Sequence, residues 1–409
     1  PDQFTIAASG DDVLVTLDAL VTENLLASNV EIFSAFTGSG PDNVVVGDLT
    51  GTTAEAVLVD IAGGNTANDA DTVLVNGTPN VDQVKISSPP GRIRVDGLAW
   101  IVEVGRVSRA AGDQLTVTTH KGNDRIDASD VSEDLMALIL NGSDGNDRII
   151  GGPFRDVING GSDNDTVTGN AGVDEFIDSD GIDTLVEARD RDFMLSQSAN
   201  LLAETLVVGT LTSDRSGVTG EVESLLDATT SQTIFEFIEL FGAESANAFI
   251  LNQWSQARVL LDGRNSADDY TINIRGALDS LIDVLDSGDV VTETDRLTVN
   301  GVSTKDQFLL RASQNSSDQG GIAFAAALHD AQLERVNYDE NLEILVVDTG
   351  EGDDHVTLDD NWAETFIYGG VGEDSFQIGQ IFQTPRDANA NVASEDEFET
   401  IRTTRCLLY

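Results

Sequence analysis

Gly160-Gly161-Ser162-Asp163-Asn164-Asp165-Thr166-Val167-Thr168 is the clearest copy of a unit that repeats through residues 142 to 195. Its second aspartate recurs every nine residues, at Asp147, Asp156, Asp165, Asp174 and Asp183, and Asp192 keeps the count more weakly. Two places after each of the first five stands an apolar residue: Ile149, Ile158, Val167, Phe176 and Leu185. Five places before stand Gly142, Gly151, Gly160, Gly169 and then Asp178. A period of nine suits neither an amphipathic helix nor a lone strand. It suits a parallel β-roll in which two units make one turn. The end of each unit is then a short strand with one apolar residue inward. The glycine-rich half is a corner, where positive φ is expected. Stacked corners line up carboxylates and backbone carbonyls, the hard oxygen donors that calcium takes.

The unit resembles the RTX nonapeptide repeats of secreted bacterial proteins, whose form is Gly-Gly-x-Gly-x-Asp-x-apolar-x. The resemblance implies calcium ions between neighbouring turns, each shared by a unit and the next but one. That pairs Asp147 with Asp165, Asp156 with Asp174, and Asp165 with Asp183, for about two or three ions. The candidate ligand set adds the corner positions Gly142, Asp144, Gly145, Gly151, Gly160, Asp163, Gly169, Gly172, Asp178 and Asp180. Some corners depart from the pattern. Phe154 and Asp163 stand at the fourth position, Ser143 and Asn170 at the second, and Asp178 at the first. The Phe154 corner fits least well. The alternative is a roll that keeps its shape without metal.

Composition narrows the function classes. Among 409 residues, 22 are Lys or Arg and 72 are Asp or Glu, a net charge of −50. Phosphate contacts need cationic side chains, so nucleic acid is excluded as a partner. The acidic residues sit beside Gly and Asn in turns, not in a block, which points to bound cations. Hydrophobic residues make up 40 % of the chain, so it folds, and the 6 % aromatic content suits thin solenoid cores. Cys406 is the single cysteine, so no internal disulfide forms. No apolar run is long enough to span a membrane. The chain starts at Pro1 with no visible targeting segment. It reads as a piece of something longer, and an extracellular or bacterial cell-surface location is inferred from the repeats.

A longer pattern runs twice through the chain. Val75-Asn76-Gly77 with Asp82 recurs as Val299-Asn300-Gly301 with Asp306, and Gly122-Asn123-Asp124 as Gly352-Asp353-Asp354. Gly142-x-x-Gly145-x-Asp147 recurs as Gly369-x-x-Gly372-x-Asp374. The reading is all-β: two tandem parallel β-solenoid modules, 1–195 and 196–382, with the β-roll at 142–195 and an irregular tail at 383–409. Gly369 to Gln377 is a lone nonapeptide, so Asp374 must borrow ligands from Asp353 or Asp354. Asp124 is the matching partner at the start of the main array. Leu278 to Leu285 and Glu221 to Leu226 are open between strand and capping helix.

No zinc, phosphate-loop or nucleophile-elbow motif is present. The leading reading is a calcium-stabilised structural protein of the bacterial surface or matrix. It follows the resemblance to repeat regions of large acidic surface proteins, and it implies assembly with copies of itself or neighbouring repeats. The alternative is a carbohydrate-active β-helix enzyme acting on polysaccharide, with Arg92, Arg94 and Arg106 lining a groove near Asp96.

Overall fold

The computed structural model describes residues 3–18, 22–61, 70–177, 180–197, 204–211, 217–226, 234–255, 257–276, 279–288, 294–313, 322–329, 332–358, 361–379 and 404–406. Among these every regular element is a β-strand, apart from one 3-10 turn at Arg109–Ala111. Alternation explains the strands. In Thr72–Asn76, Val73 and Val75 are buried while Thr72, Leu74 and Asn76 face outward. Ala56–Asp60, Gln114–Thr118 and Ile344–Asp348 alternate in the same way. Such strands supply one face to a thin core and one to solvent. Each Val, Ile or Leu side chain so buried contributes about 1.5–3 kcal/mol.

The chain forms two compact units, residues 1–186 with 226–234, and residues 187–225 with 235–409. Each is a parallel solenoid of two sheets. In the first unit, one sheet opens with an antiparallel meander of Gln3–Ser9, Asp12–Asp18 and Thr22–Ala27. Parallel rungs follow at Asn43–Val46, Thr72–Asn76, Gln114–Thr118, Ala137–Asp144, Asp156–Ser162 and Glu175–Ile177. The other sheet carries its own meander, Gln83–Ser87, Arg92–Asp96 and Ile101–Gly105. That meander sits between the parallel strands Ala56–Asp60 and Arg125–Asp130. Beyond it, Arg148–Ile150 and Thr166–Thr168 continue in parallel. The step between rungs is 29 residues at Asp42 and Asp71, and 42 where the meander is inserted. It is 23 at Asp124 and Asp147, and settles at 18 through the nonapeptides.

The second unit repeats the plan. It opens with a meander of Asp192–Gln197, Glu204–Leu211 and Val218–Ser224. Rungs follow at Ala248–Asn252, Asp269–Asn273, Arg296–Asn300, Ile344–Asp348 and Asn361–Tyr368. A second meander, Gln307–Ser313, Ile322–His329 and Gln332–Tyr338, lies in the other sheet. It is flanked by Ser280–Leu285 and His355–Leu358. Phe193, Phe249 and Tyr270 stack rung on rung at 5.4 and 5.1 Å.

One expectation changes and one open reading closes. Asp192 does not extend the array, because it starts the second unit's meander and its Oδ1 accepts the Ala248 N–H at 2.9 Å. The segments open between strand and helix are strands, Ser280–Leu285 and Val218–Ser224, and Leu278 lies outside the described residues. The tail 383–409 also lies outside them, except Thr404–Cys406, which pairs with Asn361–Tyr368.

Candidate metal centre

The aspartates of one edge form a ladder. The backbone N–H of Asp82 donates to Oδ1 of Asp124 at 2.7 Å, and that of Asp124 to Oδ1 of Asp147 at 2.7 Å. Asp147 donates to Asp165 and Asp165 to Asp183, both at 2.8 Å. On the opposite edge Asp156 donates to Asp174 at 2.8 Å. In the second unit Asp306 donates to Asp354 at 2.8 Å and Asp354 to Asp374 at 3.0 Å. Each carboxylate thus reaches the backbone of the rung before it, across a step of 18 in the nonapeptides and of 20 to 48 elsewhere. An outer rail runs beside the first ladder. Oδ1 of Asn123, Asn146 and Asn164 accepts the N–H of Asn146, Asn164 and Ile182 in turn.

The first glycine of the unit is there for a reason other than φ. Gly142 is absent from the positive-φ residues, but a Cβ on it would lie 2.1 Å from Oδ2 of Asp147 and 2.6 Å from the Gly160 carbonyl. The carboxylate occupies the space a side chain would fill. The same holds at Gly160 with Asp165 and at Gly369 with Asp374, while Gly151 meets the Gly169 carbonyl at 2.6 Å. Positive φ recurs at the fourth position, as at Gly145, Gly172, Gly181 and Gly372. A Cβ on Gly145 would lie 1.7 Å from the Gly122 carbonyl of the rung before. Asp163 takes the same conformation, φ 78°, without being glycine. Phe154 does not, so its corner is built differently.

The second position sorts the corners into two kinds. In closed corners it has negative φ, and its N–H caps the aspartate. Gly152 N–H donates to Oδ2 of Asp156 at 2.6 Å, Thr78 to Asp82 at 2.7 Å and Val302 to Asp306 at 2.9 Å. In open corners it is left-handed: His120, Ser143, Gly161, Asn170, Gly350 and Gly370 all have positive φ. Three open corners leave a bare oxygen. Oδ2 of Asp124, Asp147 and Asp354 is buried without a hydrogen-bond partner. Burial pushes the Asp147 carboxyl up to about 6, helped by Asp124 and Asp144 nearby. It raises Asp124 as well, and Asp156 to about 7.

The other expected positions frame these corners. Asp144 is exposed, with its N–H on the His120 carbonyl at 2.7 Å and its carboxylate 3.6 Å from Lys121 Nζ. Asp180 bridges to Ser162. Gly169 is the first position of the Asp174 corner, and Asp178 lies outside the described residues. Asp353 Oδ1 accepts the Glu373 N–H at 2.9 Å, leaving Asp354 as the rung neighbour of Asp374. Sequence reasoning missed Asp82 and Asp306 as ladder members. The signal was there, since Gly77 and Gly301 stand five residues ahead of them.

Among the described residues no three His, Cys, Asp or Glu side chains converge into a metal cage. A cation here would have to take single carboxylates from successive rungs and fill the rest of its shell with backbone oxygens. A buried carboxylate oxygen without a donor is costly, and a hard cation relieves that cost, so the open corners fit calcium. No helix among the described residues is long and apolar enough to cross a membrane. A search of curated proteins found no match to the chain. Residues 141–176 match the family model of the RTX calcium-binding nonapeptide repeat, in four copies, and this stretch is an RTX array.

Proposed function

We propose that the chain is a calcium-stabilised structural repeat protein of the bacterial cell surface or extracellular matrix. It would serve as an adhesin stalk, surface-layer or filament subunit and assemble on copies of itself. We read it as two tandem modules, 1–195 and 196–382. One observation carries the calcium role: the bare, buried Oδ2 of Asp124 and Asp147 inside a ladder that continues to Asp165 and Asp183. In this reading Asp147, Asp165 and Asp183 hold ions with the carbonyls of their corners, and Asp354 with Asp374 does the same in the second module. Asp156 with Asp174 is the weakest site, because Gly152 already caps Asp156.

Calcium supplies charge neutralisation and a rigid link between rungs. If a site binds with a dissociation constant one hundredth of the free calcium, occupancy adds about 2.7 kcal/mol. A few such sites are comparable with the whole stability of a domain. The groove reading has less to stand on. Arg94 is held by Asp96 at 2.7 Å and Glu103 at 2.9 Å, Arg92 by Glu103 at 3.0 Å, and Arg106 by Asp60.

The test is light scattering together with calcium stoichiometry on the full chain, with chelator and with calcium titrated back. Calcium-dependent growth in particle size supports the structural reading. Bound calcium with an unchanged monomer overturns self-assembly, and no bound calcium overturns the reading altogether.

A further inference from the structure

A second acidic corner lies outside the array. Asp286 follows the strand Ser280–Leu285, and Asp295 precedes the next strand, Arg296–Asn300. Each is 1 % exposed. One oxygen of each is in use: Asp286 Oδ1 accepts the Gly288 N–H at 3.1 Å, and Asp295 Oδ1 the Asp268 N–H at 2.6 Å. Oδ2 of both is buried without a hydrogen-bond donor. The two carboxyl groups are within hydrogen-bonding reach of each other.

The surroundings add negative charge. Asp339 Oδ2 accepts the Asp286 N–H at 3.2 Å, and Asp262 holds the Ser287 hydroxyl at 2.8 Å. The Tyr270 hydroxyl donates to the Leu285 carbonyl at 3.1 Å. The first unit handles the equivalent place with a cation of its own. There Asp60 ends the strand Ala56–Asp60 and pairs with Arg106, which follows Ile101–Gly105. In the second unit the strand beside Gln332–Tyr338 is Ser280–Leu285, so Leu285 takes the place of Asp60 and Asp286 follows it, while Asp339 follows Gln332–Tyr338 as Arg106 follows Ile101–Gly105. An acidic residue stands where the first unit has arginine. Two like charges facing each other away from water repel several-fold more strongly than in solvent. The protein supplies N–H donors for one oxygen of each carboxylate, and the other has only the facing carboxyl group.

We propose that Asp286 and Asp295 bind a metal cation of the calcium class at this corner, in the position that Arg106 fills in the first unit. All-oxygen donors favour a hard divalent ion over a thiophilic one. The site has a geometry of its own. The array takes one carboxylate per rung from successive turns, whereas here one follows the strand Ser280–Leu285 and the other precedes the next strand, Arg296–Asn300. It stands whether or not the array binds calcium.

The experiment is calcium stoichiometry by equilibrium dialysis on the full chain, comparing wild type, Asp286→Asn with Asp295→Asn, and Asp147→Asn. The double variant should lose one ion and keep the ions of the array, while Asp147→Asn should show the reverse. Unchanged stoichiometry in the double variant overturns the proposal, and a pair that only shares a proton gives that result. A second measurement leaves both carboxylates in place. Terbium emission excited through tyrosine, read in a Tyr368→Phe background because Tyr368 lines the Asp374 corner, should fall in Tyr270→Phe, since residues 101 to 253 hold no Tyr or Trp. Emission that is absent, or unchanged by Tyr270→Phe, also overturns the proposal.

Discussion

The corners of Asp147 and Asp156 are neighbouring copies of one nonapeptide, yet they treat their carboxylates in opposite ways. At Asp156 the second-position N–H, from Gly152, turns inward and caps Oδ2. At Asp147 the second position, Ser143, is left-handed with φ 82°, and Oδ2 is left bare. The first corner is complete as protein, and the second leaves a buried acceptor that the protein does not fill. The backbone angle of one residue thus separates a capped carboxylate from a bare one.

The largest expected effect is that of removing calcium. For units of this size, emptying one open corner at saturating calcium should lower the melting temperature by about 5–10 °C. A melt in chelator that matches the melt in calcium would erase the functional difference between the two corners.

Next in size is a pair of glycine substitutions at the same repeat position. Gly161 has φ 117°, and a Cβ there would lie 2.0 Å from the Ser143 carbonyl. Gly161→Ala should cost about 1–3 kcal/mol or more. Gly152 offers ordinary contacts, the nearest at 3.4 Å, so Gly152→Ala should stay within about 0.5 kcal/mol of wild type. Denaturant unfolding of both variants checks this, and equal losses would mean the corners are alike.

A smaller contrast comes from neutralising the carboxylates. Asp147→Asn should lower calcium stoichiometry and slightly stabilise the metal-free chain, because it removes a buried charge without a donor. Asp156→Asn should leave stoichiometry nearly unchanged. Dialysis and a melt in chelator read both.

The two corners also differ in their response to pH. Asp147 and Asp156 titrate at about 6 and about 7 in the fold, against about 3.9 when unfolded. Both pKa values are raised, so their contribution is fully present below about pH 4 and is lost as pH rises through 6 and 7. In chelator the melting temperature should therefore fall between about pH 4 and pH 7. Calcium should flatten the slope by way of Asp147 more than Asp156. A slope that calcium leaves untouched would sever the bare carboxylate from the metal.

The array was legible because its period is local. Nine residues per unit fixes a rung step of 18, and that step alone stacks Asp147 on Asp165 and Asp156 on Asp174. The inward Ile149, Ile158 and Val167 follow from the same count. The reason for the first glycine was not legible, since its missing Cβ answers a carboxylate five residues away and not a backbone angle. Nor was the end of the array. Asp192 keeps the count, but its partner is the N–H of Ala248, 56 residues on.

The sequence by itself determined the β-roll, the strand alternation and the alignment of aspartates, because these follow from short periods that each unit repeats without reference to the rest of the chain. Tertiary structure decided which aspartates are capped and which are bare. It also decided that each unit carries a meander in each sheet, and that Asp286 faces Asp295. Those outcomes depend on the φ of single corner residues and on which rung lies alongside, and neither is written in the local spacing.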